Sequence, residues 1–290
     1  MKHPLPVTIV VVAASTMILT GCSTQGDLQV QASETTLADL GVVHAIEIVP
    51  ATGAILVAAH NGVWAIERDG AAVAAPLQLA SEDLTDLAIV SDGTLYAISE
   101  TAVGRGGGLV RSVDDGVSWS AGPTIAENVP SMLAASGHQL IAYFSSDQTV
   151  RTSVDGGESW TVRSSIELRT IAPDPTDVRT IFAIGDGGLL RSMNGGDDFE
   201  QIRDAPDLRQ VAVLGGPEHD GGLIGATRDQ RVWSRLSEQD AWRTTGHSTG
   251  AVATLAYASR PSPLLAIVDE RGLALSEDLG YRWTVVIPKR

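Results

Sequence analysis

Between residues 37 and 288 the chain alternates short runs of Val, Ile, Leu and Ala with clusters of Gly, Asp, Asn, Ser and Pro. No stretch sustains an apolar period of about 3.6 residues, whereas short apolar runs closed by turn residues predict strands. The runs fall into groups of four. From Val129 the pattern predicts strands over 129–135, 139–145, 149–154 and 160–164, and the same layout fits units beginning near Val42, Thr85, Leu168, Leu208 and Val252. A four-stranded sheet of this size cannot cover its own faces, but sheets stacked radially about an axis cover one another. The expectation is an all-β chain with a single β-propeller over 37–290. It has six four-stranded antiparallel blades, or seven if residues 28–32 supply a further strand.

A motif of the form Ser-x-Asp-x-Gly-x-x-Trp sets the period. It occurs at Ser112, Asp114, Gly116 and Trp119, and again at Ser153, Asp155, Gly157 and Trp160. Looser copies are Ser192, Asn194, Gly196 and Phe199, then Ser276, Asp278, Gly280 and Trp283. Trp119 and Trp160 lie 41 residues apart, Trp160 and Phe199 39, and Phe199 and Trp283 84. The last gap has room for one hidden copy, and Trp242 sits near its middle with Asp and Gly lost from their usual places. Upstream, 62–70 aligns with 108–116 and adds a degenerate first unit, marked by Trp64. A period of about 40 residues with four strands per unit is that of a propeller blade.

The motif has a structural explanation. A sharp turn between the third and fourth strands needs glycine's backbone freedom, the Asp or Asn before it accepts hydrogen bonds from its own turn, and the following aromatic ring buries a large apolar face between blades.

The first 22 residues read differently. Lys2 supplies a positive end, 7–19 an apolar run, and Leu19-Thr20-Gly21 leads into Cys22. A spanning helix needs roughly 20 apolar residues, so the run reads as a cleaved export signal over 1–21. The Leu-Thr-Gly-Cys order resembles the bacterial lipobox, which implies that Cys22 is lipidated and anchors the exported chain to the outer face of the cell membrane. Cys22 is the only cysteine, so no internal disulfide can form. Residues 22–36, polar and poor in apolar groups, read as the lipidated cysteine and a tether.

The Ser-x-Asp-x-Gly-x-x-Trp repeat resembles the Asp-box (bacterial neuraminidase repeat) shared by sialidases, sortilin-type receptors and photosystem II assembly-factor propellers. With its lipobox, the chain is similar to bacterial lipoproteins described as exo-α-sialidase-like or glycosyl-hydrolase-like.

Net charge changes the picture. At −15, and one unit more acidic once Lys2 is removed with the signal, the chain is a poor partner for nucleic acid or an anionic surface. Function is expected on the face opposite the Asp-boxes, where the loops between second and third strands meet the blade-to-blade connections. These loops offer His60, Asn61, a long segment 100–107 with Arg105, Asp147, Asp186, Asp229 and Asp269. The connections offer Asp86, Arg169, Asp207, Arg209 and His247, and His44 lies just inside the first inner strand.

Three readings follow. Resemblance to sialidases implies three arginines on a carboxylate, a Tyr–Glu nucleophile pair and an aspartate acid. Arg105, Arg169 and Arg209 suit the clamp and Tyr143 is the nearest tyrosine, but the family's Arg-Ile-Pro motif is absent. A divalent metal, zinc or copper, would use His44, His60 and His247, taken to come from the first and last units. The reading that asks for nothing further is a non-catalytic binding or assembly module for a protein or glycan at the cell envelope. Its expected ligand residues are His44, His60, Asn61, Arg105, Asp147, Asp186, Asp229, His247 and Asp269.

Overall fold

The computed structural model describes residues 35–60, 62–69, 72–74, 84–99, 107–116, 118–123, 129–215 and 219–290. Cys22, the export signal, most of the tether, Asn61 and Arg105 lie outside the described residues.

Among the described residues, twenty-four strands form six four-stranded antiparallel sheets, each built from consecutive strands. Blade 1 holds β1–β4 (Val43–Ile48, Ile55–Ala59, Gly62–Ile66, Ala72–Ala74). Blade 2 holds β5–β8 (Leu84–Ile89, Leu95–Ser99, Gly108–Ser112, Ser120–Ala121). Blade 3 holds β9–β12 (Met132–Ser136, Gln139–Phe144, Thr149–Ser153, Thr161–Ser165), within a few residues of the expected strands. Blade 4 holds β13–β16 (Leu168–Pro173, Ile181–Gly185, Gly188–Ser192, Glu200–Gln201). Blade 5 holds β17–β20 (Leu208–Val213, Leu223–Thr227, Arg231–Arg235, Arg243–His247). Blade 6 holds β21–β24 (Thr254–Ala258, Leu264–Asp269, Gly272–Ser276, Thr284–Pro288).

The first strand of each blade packs against that of the next, and β21 returns to β1. The ring is a closed six-bladed propeller. Its core is not central but divided among six seams, each a cluster of apolar side chains from two adjoining blades. The motif aromatics join these seams. Trp119 packs between blades 1 and 2, Trp160 between 2 and 3, Phe199 between 3 and 4, Trp242 between 4 and 5, and Trp283 between 5 and 6.

The Ser–Asp–Gly turns repeat one hydrogen-bond pattern. In blade 3, Ser153 Oγ accepts from the Gly157 amide at 2.8 Å and donates to Asp155 at 2.7 Å, while Asp155 accepts from the Ser159 amide at 2.9 Å. Blades 2, 4 and 6 reproduce it around Ser112, Ser192 and Ser276. Gly280, at φ +98°, holds the left-handed backbone the turn requires, and an added Cβ would come within 3.3 Å of Trp283.

Two units depart from the motif. In blade 5, Arg235 stands where blades 2, 3, 4 and 6 have serine and lies 5.2 Å from the Trp242 ring. In blade 1, Trp64 is not the motif aromatic: it lies within β3, matching Val110 of β7 in register, and packs into the blade 6–blade 1 seam. The Asp position there is Arg68, which donates to Ser262 Oγ at 2.9 Å and to Glu277 at 3.3 Å, both in blade 6. A short helix not expected from the pattern, α1 (Leu37–Leu40), buries Leu37 and Leu40 in the same seam. Its N-terminus is capped by Asp39, which accepts from the Thr36 amide and hydroxyl at 2.8 Å.

Candidate functional site

The face opposite the Ser–Asp–Gly turns is where each inner strand begins. Four inner strands carry a register shift there, between Val43 and Ala45, Leu84 and Asp86, Leu168 and Thr170, and Leu208 and Gln210. A bulge leaves one residue out of the ladder and re-aims its side chain. The bulged residues are His44, Thr85, Arg169 and Arg209. Three expected site residues thus share one ring position around the axis, and Arg169 and Arg209 sit on neighbouring blades.

Five carboxylates of this face are paired with arginines. Asp186 pairs with Arg169 and Asp147 with Arg151. Asp207 pairs with Arg209 at 3.0 Å, Asp229 with Arg231 at 3.3 Å, and Asp269 with Arg271 at 2.7 Å. Hydroxyls reinforce the pairing: Thr149 is the largest influence holding Asp147 below the usual carboxylate range, and Thr227 does the same for Asp229, with Arg151 and Arg231 contributing. Asp269 is a structural residue. Its side chain is wholly enclosed and also accepts from the Thr249 and Arg271 amides at 2.8 Å, tying the blade 5–blade 6 connection to a blade 6 turn.

The arginine clamp falls partly outside the described residues. Arg169 and Arg209 each engage an aspartate, and Arg105 is outside the described residues. Tyr143 is buried in β10, where its hydroxyl accepts from the Leu168 amide at 3.2 Å, so it serves the blade 3–blade 4 seam and not a pocket mouth. His247 lies on a different blade from the other two histidines. His44 is on an innermost strand, His60 is exposed at the β2–β3 turn, and His247 ends β20, the outermost strand of blade 5 and not of the last blade. Among the described residues no three His, Cys, Asp or Glu side chains gather as metal ligands would.

The face does hold a recess of about 420 Å³ between the blade 4 exit and the β18–β19 turn. Trp233 walls it, with Pro206, Asp207, Thr227, Arg228 and Asp229 around it. Sequence reasoning reached Asp207 and Asp229 but missed Trp233 and Arg228. The available signal was that β19 places Trp233 where the third strands of blades 2, 3, 4 and 6 carry Val110, Arg151, Leu190 and Ala274, a position that blade 1 also fills with an indole, Trp64. A second recess of about 490 Å³, lined by Arg68, Glu277, Asp278 and Arg282, opens beside the Ser–Asp–Gly turn of blade 6.

Asp86, expected in a connection, lies inside β5. Its carboxylate accepts from the Leu87 amide at 2.9 Å and from Leu133 of blade 3 at 2.8 Å. Burial pushes it up to about 7 against those two hydrogen bonds. Glu47 on β1, missed entirely, is pushed up to about 8 by burial first and by the Asp86 charge second.

No protein-family model and no curated protein matches this chain. Solved structures do. The GH74 enzyme of Niastella koreensis matches with a TM-score of 0.59 at 19% identity, over 87% of this chain and 37% of its own. The GH74 xyloglucanase of Xanthomonas campestris gives 0.55 at 14% identity, over 87% and 38%. YCF48 bound to D1 peptide gives 0.53 at 15% identity, over 84% and 81%. The common element is the propeller. At such identities the likeness carries the fold and nothing finer. The chain spans less than two-fifths of the GH74 enzymes' length and about four-fifths of YCF48.

Proposed function

We propose that this chain is a non-catalytic binding module of the cell envelope, lipid-anchored at Cys22, whose bulged, ion-paired face receives an extended segment of a partner protein. One observation carries the reading: five aspartates on that face are paired with arginines, and two of them, Asp207 and Asp229, line a recess walled by Trp233. Paired side chains present fixed donors and acceptors, which suits recognition more than proton transfer. The match to a propeller solved with a bound peptide, over 84% of this chain and 81% of that one, supports a peptide over a polysaccharide, since the GH74 matches reach only part of those enzymes. The Ser–Asp–Gly turns support the Asp-box reading of the repeat. A glycan is the second reading, favoured by one feature. An indole wall with both Asp and Arg at its rim complements a sugar ring, which has an apolar face and hydroxyls that donate and accept.

The test is titration of the soluble Cys22→Ala chain with tiled peptides from envelope proteins and with cellotetraose and xyloglucan oligosaccharides. Tryptophan fluorescence and reducing-sugar release are followed together. Saturable peptide binding that Asp229→Asn or Arg228→Ala weakens about tenfold, without sugar release, supports the proposal. Sugar release overturns it, and saturable oligosaccharide binding alone selects the second reading. Cys22→Ala should also move the full chain out of the membrane fraction.

A further inference from the structure

One inner-strand position breaks the ring's regularity. In register, Glu47 of β1 corresponds to Ala88 of β5, Ala134 of β9, Ala172 of β13, Ala212 of β17 and Ala256 of β21. Side chains at this position turn toward the next blade: Ala88, Ala172 and Ala256 belong to the clusters between blades 2 and 3, 4 and 5, and 6 and 1. Five blades therefore use the smallest side chain with a Cβ where strands crowd around the axis, and blade 1 places a carboxyl there, toward blade 2.

Blade 2 answers with a second acid. Asp86 stands two residues earlier in the ring register, at the position of Met132, Thr170, Gln210 and Thr254. Gln210 shows what that position does, since its amide donates to Ala253 O of the following blade at 3.0 Å. Asp86 uses it in the opposite sense, accepting from the Leu133 amide. Of the two acids it is the one supplied with donors for an anion.

Among the described residues little else near Glu47 can compensate a charge. β2 has no titratable side chain; on β21, Tyr257 turns to the blade 5–blade 6 seam; Asp269 at the end of β22 is held by Arg271. On β1 itself, His44 lies in the bulge three residues away, and Tyr96 of β6 belongs to the blade 2–blade 3 seam. Asp86 is the charged group that acts on Glu47.

We infer that Glu47 and Asp86 carry one proton between them at neutral pH, and that losing it loosens the blade 1–blade 2 seam while the other seams stay closed. Glu47 keeps the proton because Asp86 has the N–H donors. The half-buried Glu47 carboxyl, raised to about 8 by burial first and the Asp86 charge second, agrees with this geometry. Ionising both places two like charges on adjacent inner strands, where each carboxyl is only partly reached by water.

The test is thermal unfolding of the soluble Cys22→Ala chain from about pH 6 to about pH 9, alone and with Glu47→Gln or Glu47→Ala added, beside hydrogen exchange at both ends of the range. Unsubstituted at Glu47, the chain should lose about 5 °C or more across the window, and either Glu47 variant should lose less than half of that. Amides of β1 and β5 should gain roughly tenfold more exchange than the pH change alone produces, while those of β13 and β17 should not. A parallel fall in the Glu47→Gln chain overturns the inference, as does equal loosening of all seams. Glu47→Ala, which installs the residue the other blades use, keeps the test open if glutamine packs badly.

Discussion

At Ser153 one hydroxyl closes a turn by accepting from Gly157 and donating to Asp155. Ser153 is buried, so Ser153→Ala strands the Gly157 amide and should cost about 1–3 kcal/mol in denaturant unfolding. Trp160 stacks edge-on against Phe144 with ring centres 5.8 Å apart, and Trp160→Ala should cost about 3–5 kcal/mol without altering ligand affinity in chains that remain folded. Asp155 is held at about 2, chiefly by the Ser159 hydroxyl, then the Ser159 amide. Because its folded value lies below the ordinary 3.8, its contribution is present above about pH 4 and is lost as pH falls toward 2. Asn194 already fills this role without titrating, so Asp155→Asn should retain the fold and reduce the loss of melting temperature between about pH 5 and pH 3. The roles of Ser153, Asp155 and Trp160 were readable because they are local to one turn. The pairing of Asp186 with Arg169 was not: the partners are seventeen residues apart and meet only because a bulge re-aims the arginine.

Strands were legible wherever apolar runs ended in Gly or Asp, and blade 3 falls within a few residues of expectation. Bulges were not, because a register shift depends on the partner strand and leaves the apolar pattern nearly intact. α1 escaped notice for a related reason: four residues are too few to show helical periodicity. Degenerate units mislead most. Trp64 resembled a motif aromatic by composition, while the residue at the informative position was Arg68, a clasp across the ring-closing seam. Its partner Glu277 is largely exposed, so the ion pair is worth little and the Ser262 bond matters more. Arg68→Ala should cost about 1–2 kcal/mol and raise hydrogen exchange in β1 and β21 before β9 and β13. Unchanged exchange at that seam would contradict a clasp.

Across the whole molecule, six seams replace one core, and no strand from one blade completes another's sheet among the described residues. Repetition made this architecture readable, because each unit repeats the same solution. It hid the candidate face for the same reason: that face differs from unit to unit at His44, Arg169 and Arg209, which share one ring position through their bulges. The central claim is that the bulged face receives a partner protein. A photo-crosslinking residue placed at Arg228, on that face, can be compared in intact cells with one at Met193, exposed beside the opposite turns. The account predicts a discrete crosslinked protein from position 228 that Asp229→Asn diminishes, and none from position 193. Equal adducts at both positions, or none at 228, would contradict it.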